Sequence, residues 1–181
     1  YSPPEIDWPN LAVKNIFPSP YLARAALLYA FKEDEAAISE CRQALRIMPQ
    51  SAKAYHILGK ISLRRKLYAQ ARENLHAAYV LSPRSPAIMV DLGVTLKYFG
   101  ETKKTLNLFK ETLRLLPDYA RAHYQLAALY LEDADGLYGA AAALDKAERE
   151  LNKASALNAV LAGQDKEQAL EITEKIRQIK R

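Results

Sequence analysis

Few residues in this 181-residue chain are of types and spacings that could do chemistry. His56, His76 and His123 could act as general bases or metal ligands, Cys41 as a nucleophile, and the acidic run Glu132-Asp133-Ala134-Asp135-Gly136 as part of a calcium loop. None of them assembles a reaction centre. The histidines are scattered, with no paired Cys or His at metal-ligand spacing, and the acidic run lacks the downstream bidentate glutamate that closes a calcium loop, so it reads as a solvated turn. Cys41 has no second cysteine to pair with and lies on an apolar helix face, where a thiol behaves as a small hydrophobe. There is no Gly-rich phosphate loop and no nucleophile elbow. The reading is therefore of a protein that is not an enzyme, with no catalytic residues, no metal site and no cofactor. The chemistry left is that of a binding surface.

The elements that would carry such a surface repeat at a fixed spacing. Pro49, Pro83 and Pro117 recur at a constant 34-residue step, and the same step links Tyr55 to Met89 and His123, Leu58 to Leu92 and Leu126, and Gly59 to Gly93 and Ala127. Ala71, Leu75 and Ala78 correspond to Ala37, Cys41 and Ala44 one step earlier and to Thr105, Phe109 and Thr112 one step later. Within Ala52 to Ser85, Tyr55, Leu58, Gly59 and Ser62 share one helical face, and Ala71, Leu75 and Ala78 share another, across a short turn near Lys66. A glycine inside a helix costs on the order of 1 kcal/mol against alanine. Its return at positions 59 and 93 predicts close approach of two helices. Each proline ends a second helix and sends the chain into the next hairpin.

These landmarks resemble the tetratricopeptide repeat, whose 34-residue unit has a bulky residue at position 4, Leu-Gly or Leu-Ala at 7 and 8, small residues at 20 and 27 and proline at 32. On that pattern the chain divides into a Pro-rich apolar segment (1–17), repeats 1 (18–51), 2 (52–85), 3 (86–119) and 4 (120–152, degenerate), and C-terminal capping helices (153–181). Repeat 1 departs from the pattern with Arg24-Ala25, and repeat 4 needs a one-residue insertion in the turn 132–137. The fold the resemblance implies is all-α, a right-handed superhelical solenoid of tandem helical hairpins closed by a C-terminal capping helix. In such repeats positions 4, 7, 8 and 11 of each first helix face the hairpin partner, and positions 2, 5, 9, 12 and 13 line a concave groove that holds peptide ligands. The groove positions are Ser19, Leu22, Ala26, Tyr29 and Ala30; Lys53, His56, Lys60, Leu63 and Arg64; Ala87, Val90, Val94, Lys97 and Tyr98; and Arg121, Tyr124, Ala128, Leu131 and Glu132. The candidate binding residues among them are Lys53, His56, Lys60, Arg64, Lys97, Tyr98, Arg121 and Tyr124. Their cations, set against the single acid Glu132, would concentrate most of the formal net charge of +5 where a ligand sits.

The ends are read separately. Residues 1–20 hold Pro3, Pro4, Pro9, Pro18 and Pro20 and cannot form one helix, yet Ile6, Trp8, Leu11, Val13, Ile16 and Phe17 are too apolar for a solvated tail. The segment covers the open end of repeat 1, occupies a groove of this or another chain, or is a trimmed linker. At the other end one helix is expected over about Lys153 to Ala162 with Gly163 as its stop. A second starts at Asp165, with Gln168 in capping-box register and Ala169, Ile172, Ile176 and Ile179 as its apolar stripe. No run of 18 apolar residues appears, so the chain reads as soluble. The lack of an initiator methionine and of a signal-peptide pattern is consistent with a processed or trimmed start at Tyr1, and the compartment stays open, with the cytoplasm slightly favoured. The leading expectation is a non-catalytic adaptor that binds an acidic, or mixed acidic and apolar, segment of a partner protein in the basic groove and supports complex assembly. The alternatives are self-assembly into homo-oligomers through the apolar N-terminal segment, and single-stranded RNA binding. A nucleic-acid or membrane contact is the weaker reading, because few charges serve it and the 34-residue phase differs from that of RNA-reading repeats.

Overall fold

The computed structural model describes residues 20–132, 140–156 and 164–179. Every regular element among them is an α-helix: α1 (Pro20–Ala30), α2 (Asp34–Ile47), α3 (Ala52–Arg64), α4 (Tyr68–Leu81), α5 (Pro86–Tyr98), α6 (Thr102–Leu115), α7 (Ala120–Glu132), α8 (Ala140–Ala156) and α9 (Gln164–Ile179). The expectations placed on residues 1–19, on the turn 133–139 and on 157–163 lie outside the described residues. The expected helix from Lys153 to Ala162 is corrected: Lys153 to Ala156 are the last turn of α8, which runs unbroken from Ala140 because its alanine-rich sequence offers no stop there. Helix α9 begins at Gln164, one residue before the expected start.

The chain forms two compact units, one up to Pro83 and one from Arg84. In the first, hairpins α1/α2 and α3/α4 stack through α1, α2 and α3. Their core joins Ala25, Ala37 and Cys41 of the first hairpin to Ile57 and Ile61 of α3, with Leu22, Ala44 and Ala54 as a second cluster. In the second, hairpins α5/α6 and α7/α8 stack in the same way, and α9 packs on α7 and α8. Leu106, Phe109, Leu126, Leu129, Ala147 and Leu151 form that core, and Ile172 and Ile176, two of the four residues of the expected apolar stripe of α9, complete it.

The repeated glycines do what their spacing implies. A Cβ added at Gly59 would sit 2.5 Å from Leu75 Cγ, and one at Gly93 would collide with the Phe109 ring. The helices approach so closely that only hydrogen fits.

The turn between the helices of a hairpin also repeats. Lys32, Lys66 and Gly100, each one repeat step from the next, have φ of 64°, 59° and 71°. Each sits just past a helix end, and the next residue's N–H reaches back into the final turn of that helix: Glu33 to Leu28 O at 2.9 Å, Leu67 to Ser62 O at 2.9 Å and Glu101 to Leu96 O at 3.1 Å. This left-handed cap satisfies carbonyls that the helix end would otherwise leave open. Between hairpins, Ser51 caps α3 by accepting from the Ala54 N–H at 3.3 Å.

Candidate functional site

In the N-terminal unit the expected groove residues fall on α1 and α3. Lys53 is exposed and His56, Lys60 and Arg64 are half-buried. Two of the cations are engaged by their own unit. The Lys60 ammonium and the Arg64 guanidinium each stand 4.3 Å from the centre of the Tyr29 ring, a distance at which the negative face of the ring attracts a cation. Arg64 also donates to the Tyr29 carbonyl at 3.0 Å and forms an ion pair with Asp34. Arg65 donates to Asp34 at 2.9 Å and to Glu35 at 2.8 Å, so the first residues of α2 gather the charge at the end of α3. One expectation is overturned here. Leu22 does not stand open on a groove; it is buried in a cluster with Ala44 of α2 and Ala54 of α3.

In the C-terminal unit Lys97, Tyr98 and Tyr124 come together with Val94, Ala128, Leu131 and Glu132, all of them expected groove positions, around a concave pocket of about 510 Å³. Its remaining wall is α9, through Glu171, Ile172, Lys175 and Gln178, and buried Gln125 completes the lining. Tyr124 is buried and Tyr98 exposed, so one ring forms part of the wall and the other stands at the mouth. Lys97 pairs with Glu132 at 3.0 Å, and Lys175 with Glu171 at 2.8 Å on α9. That second pair holds the Glu171 carboxyl below the usual range and the Lys175 ammonium above its own, through the hydrogen bond and the charge attraction between them. The pocket is thus mixed, with the apolar and aromatic side chains of Val94, Tyr98, Tyr124, Ala128, Leu131 and Ile172 beside the amides of Gln125 and Gln178 and the two ion pairs. Arg121 does not line it. It pairs with the buried Asp91 of α5 at 2.6 Å and ties α5 to α7.

The partners Asp34, Asp91 and Glu171 were missed in the sequence. A signal was present: the cations of α3 and α5 meet Asp34 and Glu132 at separations of 30, 31 and 35 residues, the offsets at which neighbouring repeats come side by side. Helix α9 carries no repeat signature, and its share of the wall had no counterpart in the pattern.

His123, at the bulky position 4, is buried where its type alone left a ligand role open. Its Nδ1 lies 2.5 Å from Glu150 Oε2 and its Nε2 2.7 Å from the Pro117 carbonyl. Burial pushes the Glu150 carboxyl up, but hydrogen bonds from His123 and Lys153 outweigh it and hold the group below its ordinary range. The ring therefore serves as a tie between the end of α6 and α8. Cys41 is fully buried, and burial together with the neighbouring Glu40 charge pushes its thiol up to about 11, the opposite of an activated nucleophile. Among the described residues no group of His, Cys, Asp and Glu could hold a metal ion, and no helix is long and apolar enough to cross a membrane.

No family model matches the chain. A curated relative, the TPR repeat-containing thioredoxin TTL4 of Arabidopsis thaliana, is 36% identical over 73 residues, which are 40% of this chain and 11% of the relative. The chain thus spans about a tenth of that protein's length. Among solved structures, TTC0263, a thermophilic TPR protein of Thermus thermophilus, superposes with a TM-score of 0.70 at 24% identity, covering 87% of this chain and 81% of that one. YrrB, described as a TPR protein with an unusual peptide-binding site, gives a TM-score of 0.62 at 20% identity, covering 88% and 84%. Both have the architecture that the 34-residue period, the paired glycines and the left-handed caps imply for this chain. These likenesses show the fold: the helical hairpins described above have the architecture of tetratricopeptide repeats.

Proposed function

We propose that this chain is a non-catalytic adaptor that holds a segment of a partner protein against the first helices of its repeats. The observation that carries the reading is the C-terminal pocket, in which Val94, Lys97, Tyr98, Tyr124, Ala128 and Leu131 converge with α9. A concavity that sets aromatic and aliphatic side chains beside charged and amide groups suits a ligand segment that is itself part apolar and part polar. The likeness to YrrB, itself described as having a peptide-binding site, supports the class of ligand. Lys53, His56, Lys60 and Arg64 extend the reading to the N-terminal unit, where the Tyr29 ring orders two of the cations.

The ligand segment is mixed in character. Its apolar side chains enter the pocket of the C-terminal unit, while its acidic groups compete with Glu132 for Lys97. An exposed ion pair such as Lys97 with Glu132 contributes about 1 kcal/mol or less, so a ligand carboxylate can replace it at small cost.

The test is a fluorescence-anisotropy titration of a labelled peptide library varied in acidic and aromatic content, with a single-stranded oligonucleotide of matching charge beside it. Mixed acidic and aromatic peptides should bind, and the binding should weaken as salt is raised. Lys60→Glu with Lys97→Glu should lower affinity at least tenfold while the circular dichroism stays helical, because neither side chain supplies core. Preference for the oligonucleotide would favour the RNA reading. Peptide binding that survives the double reversal at full strength would move the site off the groove.

A further inference from the structure

Gln125 of α7 is a buried polar side chain, 5% exposed, whose amide makes no hydrogen bond among the described residues. One and two repeat steps earlier the same position is settled differently. The buried Asp91 carboxylate pairs with Arg121 at 2.6 Å, and Ile57 packs in the apolar cluster with Ala25 and Cys41. Buried polar groups in folded chains are nearly always satisfied, because water given up without replacement is costly. Gln125 departs from that rule, and it lines the pocket of about 510 Å³ formed by α5, α7 and α9. Its small remaining exposure opens there, so the donor and the acceptor of its amide face whatever enters the pocket.

We infer that Gln125 selects the anchor of the ligand segment, and that this anchor is a tyrosine side chain whose hydroxyl hydrogen-bonds the Gln125 amide. The inference rests on the adaptor reading of the same pocket and adds the chemistry of the residue that enters it. Three features choose that side chain. A group as deeply set as Gln125 is beyond a main chain lying across the mouth and beyond short hydroxyl side chains, so the polar tip must arrive on a long one. The charges of the lining are already matched, Lys97 with Glu132 and Lys175 with Glu171, so a charged tip buried beside Gln125 would lack a counter-ion and a neutral tip is favoured. Beside the amide the lining is Val94, Tyr124, Ala128 and Ile172, an apolar and aromatic surface that suits the body of a ring, which loses little rotamer freedom on binding. A phenylalanine would cover the amide and leave its hydrogen bonds unmade. A site built to bond a hydroxyl discriminates against the analogue that lacks it. Acidic residues flanking the tyrosine stay at the mouth with Lys97.

The probes are fluorescein-labelled peptide pairs with glutamates beside one aromatic residue, tyrosine in one member and phenylalanine in the other, titrated with the full chain by anisotropy. The tyrosine member should bind about tenfold more tightly, the loss expected when a buried neutral hydrogen bond goes unmade. Gln125→Met nearly keeps the volume and removes the amide, and should bring the two members together by weakening the tyrosine peptide. Should that variant lose its fold, the comparison on the native chain stands without it. The side-chain amide protons of Gln125 then give a second reading by NMR, and the tyrosine peptide should move them further than its phenylalanine twin. Equal affinity of the two members for the native chain would overturn the inference and leave the adaptor reading intact. A tyrosine preference that persists in Gln125→Met would overturn it by placing the hydroxyl on another group. Equal weakening of both members by Gln125→Met would assign the amide to the ligand's main chain, which also overturns it. If no member of any pair binds, the adaptor reading itself fails, and the inference with it.

Discussion

The two units use the same repeat positions to different ends. In the N-terminal unit the cations at groove positions 9 and 13, Lys60 and Arg64, gather on the Tyr29 ring, and Asp34 adds an ion pair, so the face is laced together by its own side chains. In the C-terminal unit the residues at positions 9, 12 and 13 of α5, Val94, Lys97 and Tyr98, stand around a pocket because α9 supplies a wall opposite them. A repeat position thus specifies where a side chain points, while its neighbours decide whether it is spent on internal contact or left to a ligand. The difference comes from what each position faces, an aromatic ring in one unit and a capping helix in the other.

The same comparison extends to the contacts that hold each hairpin together, and it can be broken by mutation. The largest expected effect lies at the paired glycines. Gly93→Leu must displace the buried Phe109 ring and should cost about 1 to 3 kcal/mol, the usual range for overpacking. Gly59→Ala forces the buried Leu75 to shift from its branch carbon outward, but it adds one methyl rather than a whole leucine and gains helix propensity of about 1 kcal/mol, so its cost should be smaller. Thermal melts of the two variants check this, and an unchanged melting temperature for Gly93→Leu would refute the close contact.

A smaller effect is expected at the turns, where the N-terminal unit places Lys32 and Lys66 at a positive φ and the C-terminal unit places Gly100. The left-handed conformation strains a residue bearing a Cβ by about 1 kcal/mol or slightly more. Lys66→Gly should therefore raise stability in a denaturant titration by up to about 1 kcal/mol, and Gly100→Lys should lower it by a similar amount. If the two changes move stability in the same direction, the turns are not equivalent.

The smallest effect is a pH dependence confined to the C-terminal unit. Glu150 has its folded pKa held below its ordinary value of 4.5, so the stability it contributes is fully present above that value and is lost as pH falls through the folded pKa. On acidification, hydrogen exchange should quicken in α7 and α8 before it does in α3 and α4, and Glu150→Gln should reduce that difference. Equal quickening in both units, unaffected by the substitution, would show that the contact between His123 and Glu150 carries no such linkage.

Much of the fold was legible in the sequence because it rests on local, periodic features. The 34-residue step of Pro49, Pro83 and Pro117, the apolar faces of each helix and the small residues at the hairpin contact are all read from the repeat itself, and the structure has its helices where they imply. The last region was read less well. Lys153 to Ala156 belong to α8 rather than to a new helix, because the alanine-rich run carries no internal stop. The candidate site was legible as a set of positions: Lys97, Tyr98 and Tyr124 were named together and lie on one pocket. Its electrostatics were not, because counting groove cations takes no account of acids in the next repeat.

By itself, the sequence determined the class of fold, the pairing of helices into hairpins, the close contacts at Gly59 and Gly93 and the faces on which Lys60, Lys97 and Tyr124 stand. These follow from helical geometry within a single repeat, which fixes direction without reference to distant chain. Only the tertiary structure decided that Arg121 pairs with the buried Asp91, that α9 closes a wall of the C-terminal pocket and that Gln125 has no hydrogen-bond partner among the described residues where Ile57 is packed in a core. Each of these depends on what lies across an interface between helices from different repeats. Coulomb attraction, burial and exposure are properties of that neighbourhood, which the repeat pattern does not encode.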